Sequence, residues 1–129
     1  MKKVLSFTLA AICALAISQR SGAQQTLSND RISVTIAADG SLQSLKNVQT
    51  GQEYASGDYL WRLYYDSPVQ KEIEIRGGDQ KAVVSSEDGA IVISYDSLEA
   101  YGKSLDMKLV LKLTLEADKV RFGSVISNN

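Results

Sequence analysis

Residues 104–116 read Ser-Leu-Asp-Met-Lys-Leu-Val-Leu-Lys-Leu-Thr-Leu-Glu. Leu105, Met107, Leu109, Leu111, Leu113 and Leu115 all fall on odd positions, and the even positions between them are mostly polar. A helix would scatter these side chains around its surface, whereas a strand sets all six on one face. Leu and Lys favour helix by propensity, but periodicity outweighs so weak a preference. This stretch is expected to be a long strand with one apolar side, and it sets the reading of its neighbours.

Working outward, Ala117-Asp118-Lys119 turns the chain, and Val120, Phe122 and Ile126 belong to a final strand. Upstream, 81–85 and 90–95 flank Asp88-Gly89, a favourable hairpin turn because glycine tolerates positive φ. Residues 71–76 alternate, with Ile73 and Ile75 inward, until Gly77-Gly78 breaks the run. An aromatic-rich strand spans 59–65 and ends at Asp66-Ser67-Pro68. Thr50-Gly51 precedes a short segment at 52–55. In 31–37, Ile32, Val34 and Ile36 share a face; Asp39-Gly40 then turns the chain toward Leu42 and Leu45. Short strands joined by turn residues, with no convincing long helix, predict an all-β fold, an antiparallel sandwich or barrel.

The front of the chain differs. Met1-Lys2-Lys3 is basic, 4–17 is nearly unbroken apolar sequence, and Ser21-Gly22-Ala23 places small residues before a cut ahead of Gln24. This three-part pattern is that of a secretory signal peptide over residues 1–23, and its apolar run is too short for a comfortable membrane span of about 20 residues. Cys13 lies inside the apolar run, so it does not mark a lipoprotein cut. The expected product is an exported domain over 24–129, secreted or periplasmic, with no membrane span after cleavage.

Removing residues 1–23 from the 129 leaves 106, enough for one small domain. Lys2, Lys3, Arg20 and the only cysteine go with the signal, so 11 basic residues face 15 acidic ones, a net charge of −4. That balance argues against nucleic acid as a partner, because phosphates are bound through clustered Lys and Arg. With no histidine and no mature cysteine, a Ser-His-Asp or Cys-His nucleophile, a disulfide and an ordinary zinc site are excluded. The aspartates concentrate in turns without calcium-loop spacing, so no metal and no cofactor is expected.

Two constellations bear on chemistry. Glu72 and Glu74, two apart on the expected strand, would point to one side about 6.6 Å apart. Glycosidase carboxylates have such separations but come from separate elements that clamp a cleft, so a solvent face with Lys71 and Arg76 as partners is the simpler reading. In 59–65, Tyr59, Trp61, Leu63 and Tyr65 share one face and Leu60, Arg62 and Tyr64 the other. Aromatic rings either fill a small core and an interface or present a flat platform to a sugar ring. Tyr59, Trp61, Arg62, Tyr64 and Tyr65 are therefore the candidates for carbohydrate binding or a domain interface. Arg62, between apolar neighbours, is expected to be a buried or interfacial partner for a carboxylate.

The order of pieces is itself informative. Asn29 to Ile36 leads into Asp39-Gly40-Ser41-Leu42 and Leu45-Lys46-Asn47; Thr50-Gly51 and Leu60-Trp61-Arg62-Leu63-Tyr64-Tyr65 follow; Val120-Arg121-Phe122 to Ile126-Ser127-Asn128-Asn129 closes the set. This resembles the start of secreted glycoside-hydrolase-like proteins of polysaccharide-degrading bacteria. In that family an N-terminal galactose-mutarotase-like β-supersandwich precedes a (β/α)8 catalytic barrel. The resemblance covers nearly all of the mature chain. It implies an incomplete supersandwich, the N-terminal part of a longer protein, with the catalytic barrel absent and no catalytic residue here. The function it implies is a non-catalytic exported module of a carbohydrate-active protein, buttressing the barrel through Trp61 and its neighbours. A free-standing carbohydrate-binding module, with Trp61 exposed, and an envelope adhesion or assembly module, whose last strand completes a sheet in a partner, are the alternatives.

Overall fold

The computed structural model describes residues 23–128. The signal segment and Cys13 lie outside the described residues apart from Ala23. The described residues are all-β, with antiparallel pairing throughout and a short 3-10 turn at Gly77–Asp79. The first sheet holds β1 (Gln25–Ser28), β2 (Ile32–Ile36), β3 (Ser41–Asn47) and β4 (Glu53–Ala55) in that order, with β5 (Asp58–Tyr59) also on β3. A separate hairpin joins β6 (Arg62–Tyr65) to β7 (Ile73–Arg76). The second large sheet is built from β8 (Val83–Glu87), β9 (Ala90–Tyr95), β12 (Met107–Glu116) and β13 (Lys119–Asn128), in the order β13-β12-β9-β8. A small hairpin of β10 (Glu99–Ala100) and β11 (Lys103–Ser104) interrupts it between β9 and β12.

The two large sheets form a sandwich. Val34 and Ile36 of β2 and Leu42 of β3 meet Val84, Ile91, Ile93, Leu109, Leu111 and Leu113 of the second sheet in one buried cluster. Register explains the layering: Leu109, Leu111 and Leu113 stand opposite Tyr95, Ile93 and Ile91, so one row of odd residues on each strand faces inward. Asn29 ties the sheets at one end. Its Nδ2 donates to the Ala117 carbonyl at 2.9 Å while its Oδ1 accepts from the backbone N–H groups of Arg31 and Ile32.

The expected turns occur for the expected reason. Asp88 and Gly89 both have positive φ, the requirement of a two-residue hairpin loop. Gly40 has φ +86°, and Asp39 accepts from both the backbone N–H and the hydroxyl of Ser41. Gly40 has a second duty, since a Cβ there would stand 2.7 Å from the Tyr95 hydroxyl.

Four expectations need correction. The run 59–65 is not one strand: β5 pairs with β3, Leu60-Trp61 leaves the ladder, and β6 pairs with β7. The strand at 71–76 starts only at Ile73, because Glu72 has φ +52° and its N–H is taken by the Asp66 side chain. Glu72 and Glu74 therefore do not share a strand face. The long leucine strand starts at Met107 rather than Ser104, since Asp106 also turns to positive φ. β1 and the β10–β11 hairpin went unread, for β1 has one apolar residue and the hairpin only Gly102 as a cue.

Candidate functional site

The aromatic segment divides by height above the core. Trp61 is half-buried and meets Tyr95 edge-on, ring centroids 5.1 Å apart. Its Nε1 is fully buried and has no acceptor. Burial pushes the Tyr95 phenol up from its usual range; the neighbouring indole N–H opposes this, yet the pair falls short of hydrogen-bond geometry. Leu63 and Tyr65 alternate inward with Trp61, next to Ile73 and Ile75, which are buried. Trp61 is thus a core-flanking residue and not an open platform.

Tyr59 and Tyr64 are different, with 53% and 56% of their surface exposed. Tyr59 lies over Gly78, where a Cβ would stand 2.5 Å from its ring, and Trp61 lies over Gly77, where a Cβ would stand 2.8 Å from Nε1. The Gly77 N–H also donates to the Trp61 carbonyl at 3.1 Å. The glycine doublet that reads in the sequence as a strand breaker is the floor on which both rings rest. The signal for this was the doublet itself, two residues with no Cβ following an aromatic run.

The exposed face of the β6–β7 hairpin carries charge. Arg62 stands directly opposite Arg76, and Tyr64 opposite Glu74. Two like charges across a ladder repel. Glu74 relieves this by bridging them: Oε1 lies 3.1 Å from Arg62 Nε and Oε2 lies 3.1 Å from Arg76 Nη2. The Tyr64 hydroxyl donates to Glu74 at 3.3 Å and accepts from Arg62 at 3.3 Å. The Arg76 hydrogen bond, with the charges of both guanidiniums, holds the Glu74 carboxyl below its usual range. Arg62 accordingly has its carboxylate partner at the surface, which excludes the buried setting of the two expected and leaves the interfacial one.

This network borders an open cleft lined by Asp58, Tyr59, Leu60, Trp61, Arg62 and Arg76. A second hollow begins at Arg76 and Glu74 and runs to Gln80, Glu99 and Tyr101. Its far wall is fixed by Gln80, whose side chain exchanges two hydrogen bonds with the Glu99 backbone, 2.9 and 2.7 Å. The face presents an aromatic ring, guanidinium donors with capacity left after Glu74, and the Asp58 acceptor. Among the described residues no group of three or more His, Cys, Asp or Glu is placed to hold a metal ion, and no helix is long and apolar enough to cross a membrane.

No protein-family model, curated protein or solved structure matches the chain.

Proposed function

We propose that the chain is a non-catalytic β-sandwich module of an exported carbohydrate-active protein, that it supports a catalytic barrel of that protein, and that its galactose-mutarotase-like supersandwich lineage accounts for the strand order. The observation that carries this reading is the Tyr59–Arg62–Tyr64–Arg76 face. Sugars present flat C–H surfaces that pack on aromatic rings, and hydroxyls that need fixed donors and acceptors. Tyr59 supplies a ring seated on the Gly78 backbone; Arg62 and Arg76, held by Glu74, supply donors without further ordering cost; Asp58 supplies an acceptor. Such a face beside a catalytic cleft lengthens the track along which a polymer is held. The half-buried Trp61 disfavours a free-standing module that uses this tryptophan as its platform.

Calorimetric titration with neutral and uronate-containing oligosaccharides tests the reading. Saturable binding is expected, weakened about tenfold by Tyr59→Ala or Arg62→Ala, which is the loss of about 1.4 kcal/mol. In the barrel-bearing protein the same substitutions are expected to raise KM for polymer and leave kcat alone. No saturable binding by any oligosaccharide, with no change in KM, overturns it.

A further inference from the structure

β13 is ten residues long and pairs with β12 along its whole length; among the described residues it has no other strand neighbour. Protein edges are normally blunted by charge, proline, bulges or brevity. Here the only charges are Lys119 and Arg121 at its start; Phe122-Gly123-Ser124-Val125-Ile126-Ser127-Asn128 has none, and no proline. The register with β12 is free of bulges. Ala117 and Asp118 form a two-residue turn, so the flanking pair Glu116/Lys119 exchanges hydrogen bonds across the ladder. Antiparallel alternation then directs the N–H and C=O groups of Val120, Phe122, Ser124 and Ile126 away from β12, into the open edge.

The inner side of this strand is equally unfinished. Phe122 and Ile126 stand opposite the buried Leu113 and Leu109, on the core side of the sheet, yet both are exposed. Beneath them a groove of about 290 Å³ runs between β13 and Leu60–Leu63.

From the bare ladder and the open apolar row together we infer that β13 pairs antiparallel with β13 of a second copy, making one continuous eight-stranded sheet across a two-fold axis at Ser124. That register is self-complementary. Phe122 of each copy faces Ile126 of the other over the groove, so each supplies the apolar cover the other lacks. On the outer side Val125 faces Gly123, whose missing side chain leaves room. Arg121 faces Ser127, so no like charges oppose one another. The outward groups of Ser124 bond to their own copies across the axis. A closed two-fold contact of this kind stops at the dimer.

Sedimentation equilibrium on the exported chain, from about 1 μM to about 1 mM, decides the matter because it spans weak to moderate association. A monomer–dimer equilibrium is expected. Ser124→Pro is expected to abolish it with the circular dichroism spectrum unchanged, since the lost N–H faces away from β12. F122K alone and I126E alone are each expected to weaken dimerisation at least about tenfold, by placing a charge against an apolar neighbour. The F122K/I126E double variant, whose two new charges face one another across the axis, is expected to recover affinity to within a few-fold of the parent. A monomer throughout the range overturns the inference, as does a dimer that Ser124→Pro leaves intact or an open-ended polymer. A chain that stays monomeric but binds an unrelated strand-forming peptide through β13 assigns the edge to another protein and overturns it too. Glycan titration is a separate readout: Ser124→Pro leaves the Tyr59 face untouched.

Discussion

β12 and β13 are the same length, lie side by side in unbroken register, and carry apolar residues on the same inward face, but their fates differ. Leu113 is fully buried while Phe122 opposite it is 54% exposed; Leu109 is 3% exposed while Ile126 opposite it is 50% exposed. Leu109, Leu111 and Leu113 of β12 belong to the buried cluster shared with β2 and β3, whereas no fully buried residue of the edge strand does. Alternation assigns a side chain to a face; only the area of the opposing layer decides whether the face is dry. The same chemistry therefore contributes core stability at β12 and surface adhesiveness at β13.

The sharpest way to break this comparison is truncation. Leu113→Ala is expected to cost about 2–5 kcal/mol, because a filled site is emptied inside a packed cluster. Phe122→Ala, measured by urea unfolding at low protein concentration where the monomer dominates, is expected to stay within about 0.5 kcal/mol. Equal costs for the two would mean that β13 is covered in the monomer.

Gly77→Ala gives the next largest effect. The new Cβ meets the Trp61 indole, which is itself braced by Tyr95 and cannot swing aside freely, so a loss of about 1–3 kcal/mol is expected. A red-shifted Trp61 emission should accompany it. An unchanged midpoint and spectrum would show that Trp61 is as loosely held as the exposed tyrosines.

The smallest effect belongs to the surface network. Glu74 has a folded pKa below its ordinary value of 4.5, so its stabilising contribution is present above that value and disappears as pH falls through the lower, folded one. Glu74→Gln is expected to flatten the acid limb of the stability–pH curve and to leave two arginines facing each other unbridged. The whole difference should shrink with added salt, as expected for exposed ion pairs. A salt-independent difference would place Glu74 in the core's energetic class.

Much of the fold was legible in the residues. Ile73 and Ile75, the Asp88-Gly89 hairpin and the odd-numbered leucines from Leu109 to Leu115 each obey a local rule, period two or positive φ at glycine, and each occurs as read; Leu105 falls before the strand. The aromatic run misled because alternation extends only as far as the ladder does. At Leu60 the chain leaves one sheet for another hairpin, and nothing in Tyr-Leu-Trp-Arg marks the change. Glu72 failed likewise: a side chain six residues earlier captures its N–H and turns the backbone out of the strand. Arg62 was legible as a partner for a carboxylate, but not as one of a pair of opposed arginines, because that opposition exists only once β6 and β7 are in register.

What the sequence determined by itself is which side of each strand is greasy and where the chain turns, since both depend on side chains a few residues apart. It also shows that these residues include no histidine and a single cysteine, Cys13. Tertiary structure alone decided that Gly77 and Gly78 are a seat for two rings, that Glu74 joins two arginines, and that of two facing residues Leu113 is buried and Phe122 exposed. Each of these is a meeting of segments distant along the chain, and the physical reason is coverage: how far one layer reaches over another is not written in any local pattern.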